Sequence, residues 1–351
     1  MKKSVPAAVA ALAIIGITLG GCASTATSTG QQSTEQQASL EDCPISLIPK
    51  STDNPFFASI HVGADEAAAE LDGKPIDFVG SAQADVQGQI QRVQTATLND
   101  ACAINIAALD PEATAPALTA AVKAGTRVVT FDSDVRTDAR TLFINQASAT
   151  DLGVAMLEIL AQDMNFEGDF AILSAQSTAQ NQNSWIAAVE EELKKPEYSK
   201  MNIVKTVYGD DDSKKSYDAA VSLMQGFPDL DGILSPEPAG LQASVKARDD
   251  LNFNPDLVLT GLGWPPSDAA FLKEGKVSAF VLWSPIDLGY LTYYATAALI
   301  TGEITGKEGD TFDAGRLGQR TVQADGVVVL GDPEVYTAEN VDAGLDGFRT
   351  E

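Results

Sequence analysis

The sequence predicts an α/β protein made of two similar lobes, each a doubly wound parallel sheet. From Pro44 on, short apolar runs alternate with amphipathic helical stretches, and after Asn145 the same alternation begins again. Polar and aromatic residues gather just past the apolar runs, where open parallel sheets hold their ligands.

The first half gives strands at 45–48, 76–79, 104–107 and 127–131, with helices near 55–71, 86–100 and 112–124. Val86, Ile90, Val93 and Thr97-Leu98 recur at spacings of four, three and four, one face of a helix. Pro111 and Gly125 start and stop the third helix. In the second half, helices fall near 148–163, 183–194, 214–226, 238–249 and 267–274. Strands fall near 169–174, 202–207, 231–234, 257–261 and 277–282, and a last helix near 287–301. Two short apolar stretches, 321–323 and 327–330, follow a Gly-rich turn region. No sequence repeat is found; what recurs is the strand–helix alternation.

The 351 residues are 44% hydrophobic, enough for one large core or two medium ones. Acidic residues number 49 against 23 basic ones, a net charge of -26. Such a surface repels phosphate backbones, which argues against nucleic acid as a partner; solubility alone is the simpler use of the acidity.

The N-terminus carries a specific signal. Lys2 and Lys3 precede an apolar stretch at 5–19 that is too short for a normal membrane span, so it reads as a signal peptide. It ends in Leu19-Gly20-Gly21-Cys22, which resembles the bacterial lipobox, whose Cys is lipidated after cleavage. Two acyl chains would hold durably at ~0.8 kcal/mol per buried methylene. A plain signal peptide with an incidental Cys is the alternative. Cleavage removes two lysines and no acid, leaving the chain more acidic still. The Ser/Thr/Gln/Ala/Gly-rich stretch that follows cannot bury a core and reads as a flexible tether reaching roughly 25 Å.

Cys43 and Cys102 remain, each immediately before a strand candidate. In a doubly wound sheet the first and third strands are neighbours, so an oxidising compartment favours a disulfide between them. Two buried free thiols are the alternative.

An enzyme's constellation is missing. The one histidine, His61, lies on an expected helix surface, which removes His-based triads and His-rich metal sites. No CxxC, P-loop or strand-to-helix GxGxxG is present. Asp210-Asp211-Asp212 lacks the spaced ligands of a calcium loop and reads as a solvated turn before a helix, with Asp211 a surface acid.

The strand ends offer a different chemistry. Lys50, Asn54, Phe56 and Phe57 follow the first strand, and Asp132 the fourth; Asn181, Gln182, Pro236, Trp264 and Trp283 follow strands of the second half. Carboxylates and amides pair with adjacent hydroxyls, while aromatic rings cover the apolar C–H face of a sugar. Asp132 would accept from two neighbouring hydroxyls, Asn181 and Gln182 would approach from the other side, and Trp264 and Trp283 would wall the site. Other uses remain open. Phe56 reads equally as core, Asp132 as a strand-end cap, and Trp185 as helix packing.

The mature chain resembles the type I periplasmic binding proteins of sugar ABC importers. The likeness rests on the strand, polar loop and Asn54-Pro55-Phe56-Phe57 helix start, on Asp132, and on Leu142-Phe143-Ile144-Asn145-Gln146 followed by Asp151-Leu152-Gly153, which looks like a first crossing between lobes. Within that family the chain most resembles the rhamnose-binding and autoinducer-2-binding branch, through Ile48-Pro49-Lys50, Asp132-Ser133-Asp134, Ile144-Asn145-Gln146, Asn181-Gln182-Asn183 and Trp185. The stretch 283–290 leans toward the rhamnose side. Asn181 stands where the autoinducer branch has Asp, and Pro238 where it has Ala. The Arg and Asp that ribose binders carry near Asn181 and Gly263 are missing.

The resemblance implies two lobes joined by a hinge that closes over a small sugar, then docks on a membrane permease. It divides the chain into a signal peptide at 1–21, a lipidated tether at 22–42, a first lobe at 43–145 plus about 284–318, a second lobe at 146–283 plus about 319–335, and a C-terminal segment at 336–351. It implies a monomer that uses no cofactor or metal and is not an enzyme. Autoinducer-2 binding and ligand sensing for a membrane kinase are the alternative functions; a hydrolase lacks its acid–base set, and a sugar repressor would need a helix-turn-helix where the signal peptide stands.

Overall fold

The computed structural model describes residues 39–350, so the expected signal peptide, Cys22 and the tether up to residue 38 lie outside the described residues. The first lobe opens with β1 (Ile45–Ile48), α1 (Pro55–Glu70), β2 (Asp77–Phe78), α2 (Val86–Leu98), β3 (Ala103–Ile106), α3 (Pro111–Ala124), β4 (Arg127–Phe131) and β5 (Leu142–Asn145). The second contains α4 (Ala149–Asp163), β6 (Glu167–Ser174), α5 (Gln180–Glu192), β7 (Lys200–Tyr208), α6 (Ser213–Gly226), β8 (Gly232–Ser235), α7 (Pro238–Leu251), β9 (Val258–Gly261), α8 (Pro265–Lys273) and β10 (Ala279–Leu282). The chain then continues through α9 (Pro285–Thr301), β11 (Thr311–Asp313), β12 (Gln319–Thr321), β13 (Val327–Val329) and β14 (Glu334–Thr337).

The first sheet is parallel throughout, in the order β13-β5-β4-β3-β1-β2. β1 and β3 are buried along their whole length, which is why they read as unbroken apolar runs rather than alternating ones. Ile45 pairs with Ala103, and the neighbouring Cys43 and Cys102 are joined by a disulfide with Cα atoms 5.5 Å apart. The second sheet runs β7-β6-β8-β9, also parallel, and extends through a Leu262–Val281 bridge to the antiparallel pair β10-β14.

Helix starts follow local chemistry. Asn54 Oδ1 accepts from Phe56 N at 3.0 Å ahead of Pro55, and Asp212 Oδ1 accepts from Lys215 N at 2.8 Å. α9 packs on α1, and their backbones touch. A Cβ at Gly63 would lie 1.8 Å from Ile286 O, and one at Gly289 would lie 1.9 Å from Ile60 O. Only glycine permits that approach.

Three expectations are corrected. Residues 142–145 form β5, a central strand of the first sheet, so the crossing begins after Asn145. Residues 319–335 do not sit together in the second lobe: β13 completes the first sheet, Val328 lying opposite Ile144. Residues 336–350 are not a separate segment. β14 pairs with β10, and the short 3-10 helix Leu345–Phe348 sets the Phe348 ring edge-on to Trp264, centroids 5.0 Å apart. The last two corrections share a cause, the burial of short apolar stretches on sheet edges far away in sequence. The chain therefore passes between lobes at 146–148, 283–284 and 330–333.

Candidate functional site

The carboxyl ends of both sheets open on one cleft of about 780 Å³. Lys50, Asn54, Phe56, Phe57, Asp132, Asn181, Gln182, Pro236, Trp264 and Trp283 all line it.

Asp132 lies immediately past β4 with φ 58°, a left-handed backbone that Asp tolerates better than most residues. It is 4% exposed. Its Oδ2 pairs with Lys50 Nζ at 2.9 Å, and its Oδ1 accepts from Asn181 Nδ2 of the other lobe at 3.3 Å. Behind it, Arg140 holds Asp134 through two bonds of 2.7 Å and donates to Asp325 O, fixing the loop after β4.

Asn181 and Gln182 open α5. The Asn181 Oδ1 accepts from Gln182 N at 2.9 Å, which turns its NH2 toward Asp132. Gln182 Oε1 accepts from Ser174 Oγ and from Ala175 N, leaving its NH2 as the donor a ligand can use.

Aromatic rings form one wall. Trp283 is 3% exposed, with Phe56 and Trp185 edge-on to it, each at 5.9 Å between centroids. Its Nε1 donor is buried and has no protein partner. Trp185, which has a packing reading in the sequence, both packs on Trp283 and lines the cleft. His61 lies on the α1 surface, stacked on Phe78 and paired with Asp65, away from the cleft.

The turn at 210–212 overturns an expectation. Asp211 is exposed as a residue, yet it lines the cleft. Burial raises its pKa; hydrogen bonds from Glu237 and Asn54 and the charge of Lys50 oppose that, and the charge of Asp132 adds to it. Glu237, which follows β8 and is 2% exposed, is pushed well above the ordinary carboxylate range by burial first, then by Asp211. Both acids were on view in the sequence, one in an acidic run and one in Ser235-Pro236-Glu237, but nothing local marks them as facing each other. Among the described residues, no group of three or more His, Cys, Asp or Glu is placed to hold a metal.

Known proteins share this architecture. Residues 45–304 match the family described as periplasmic binding protein domain. A sugar ABC transporter protein from Actinomyces odontolyticus is 40% identical, with 87% of this chain and 98% of that one covered and a TM-score of 0.72. An ABC transporter solute-binding protein from Clostridium phytofermentas with bound L-rhamnose is 30% identical, covering 86% and 97%, TM-score 0.80. The fold also matches LsrB from Clostridium saccharobutylicum in complex with AI-2, at 22% identity, 86% and 99% coverage and a TM-score of 0.79.

Proposed function

This chain belongs to the periplasmic binding protein domain family, whose members bind solutes rather than transform them, and we propose that it captures a neutral, rhamnose-like monosaccharide outside the cytoplasm for a sugar ABC importer. The carrying observation is Asp132, held from its own lobe by Lys50 and from the facing lobe by Asn181. A sugar placed there takes the carboxylate's acceptors for two hydroxyls, the Gln182 NH2 as donor, and the Trp283 N–H for a ring or hydroxyl oxygen. The edge-on aromatics offer apolar surface for the C–H face.

Capture works by closure. A ligand touching both lobes favours the closed form because only that form supplies the whole shell. The closed protein then docks on the importer's permease, and lipidation at Cys22 keeps it at the membrane. Differential scanning fluorimetry against pentoses, deoxyhexoses and AI-2 tests the ligand. A specific ligand raises the melting temperature by mass action, and L-rhamnose is expected to raise it most. A larger rise with AI-2, or none with any sugar, contradicts the assignment.

A further inference from the structure

We propose that Asp211 and Glu237 form a proton-sharing acid pair that reads a ligand hydroxyl from the second lobe and confines the cleft to uncharged sugars, an inference that rests on the sugar-binding assignment above. Both residues line the cleft. They arrive from different strands: Asp211 from the turn after β7, at φ 55°, and Glu237 from the end of β8. The Glu237 Oε2 is sealed from water and has no donor of good geometry, its Oε1 takes the Ser216 hydroxyl at 3.4 Å, and the Ala239 N–H also acts on this carboxyl. Asp211 lines the same cleft, and its charge and hydrogen bonding act on the Glu237 carboxyl.

Two ionised carboxylates have no donor between them, so their contact is a hydrogen bond only when one carries a proton. Glu237 is the more deeply buried, and burial favours its neutral form, so the proton resides on Glu237 and is donated to the Asp211 carboxylate. Asp211 then keeps acceptor capacity toward the cleft, with Asn54 donating from the first lobe. The other charged groups lining the space around the pair are Lys50, Asp53 and Asp132 from the first lobe and Asp212 and Lys214 from the second. Lys214 is itself engaged by Asp218. A ligand carboxylate would add a negative charge to a set already rich in acids. A hydroxyl donates to Asp211 without that penalty.

Two experiments test this. The first uses no ligand: in wild-type protein with carbon-13-labelled glutamate carboxyls, one signal is expected to titrate well above the ordinary carboxylate range. It should vanish in Glu237→Gln and move down in Asp211→Asn, which identifies it even if Glu237→Gln does not fold. Ordinary titration of every glutamate overturns the proposal. The second is calorimetry with L-rhamnose, other neutral deoxyhexoses and D-galacturonate between about pH 6 and about pH 9. The best neutral sugar is expected to bind wild type about tenfold more weakly once the pair loses its proton, with a flat profile in Glu237→Gln. Identical profiles in both proteins, or galacturonate binding as tightly as the neutral sugar, overturn it. If no sugar binds at any pH, the sugar assignment fails, while the titration still decides the pair.

Discussion

Asn181 reaches across the cleft and donates from Nδ2 to Asp132 Oδ1 at 3.3 Å, while Lys50 holds the other oxygen of the same carboxylate at 2.9 Å. One side chain is thereby shared between lobes that carry their own sheets. Each neighbour is itself oriented, Asn181 by the start of α5 and Lys50 by the end of β1. In the proposed mechanism Asp132 is the point where ligand contact and lobe closure coincide.

Arg140 supports that point from behind. Its guanidinium is nearly sealed from water and grips Asp134. Arg140→Met should leave Asp134 with an unpaired, largely buried charge and lower stability by about 3–5 kcal/mol. Chemical denaturation measures this; a loss under a few tenths of that range would mean that the pair is a surface contact.

Gly63 and Gly289 let α1 and α9 touch backbone to backbone. Gly63→Ala puts a methyl where Ile286 O now sits, and the helices must separate. Thermal unfolding is expected to report a loss of about 1–3 kcal/mol. An unchanged melting temperature would contradict the close crossing.

The Cys43–Cys102 bond closes a sequence separation of 59 residues. In the chain-entropy account such a loop contributes about 4 kcal/mol, so Cys43→Ser with Cys102→Ser should unfold at clearly lower denaturant. Mass spectrometry of unreduced protein should give the linked peptides. Two freely alkylated thiols would rule the bond out.

Cys22 lies outside the described residues, and its prediction comes from Leu19-Gly20-Gly21-Cys22 alone. In cells, Cys22→Ser should leave the protein uncleaved or freely released. Normal membrane retention of the variant would remove the lipid anchor from the account.

Much of the fold is legible because fully buried parallel strands appear as apolar runs and their helices carry Pro, Asn or Asp starts; β1 and β4 lie at the positions read from sequence. The three-residue strand β13 and the four-residue β14 are too short to show a period, and their pairing partners β5 and β10 lie far away in the chain. That distance is why 319–335 reads as second lobe although Val327–Val329 completes the first sheet. The site divides the same way. Asp132, Trp264 and Trp283 stand at visible strand ends. Asp211 sits in a run of three acids that reads as solvated, and only folding carries it to Glu237. It therefore cannot serve as an inert control; exposed Glu303, away from the cleft, can.

Calorimetric titration of L-rhamnose into wild type, Asp132→Ala and Glu303→Ala tests the central claim most directly. Removing the carboxylate deprives ligand hydroxyls, Lys50 and Asn181 of their shared partner in a cleft closed to water. At about 1.5–3 kcal/mol for a charged partner, affinity should fall tenfold to hundredfold in Asp132→Ala, measured below its own melting temperature, with Glu303→Ala binding as wild type does. Equal affinity in wild type and Asp132→Ala would contradict the assignment of this cleft as the place where the sugar is held.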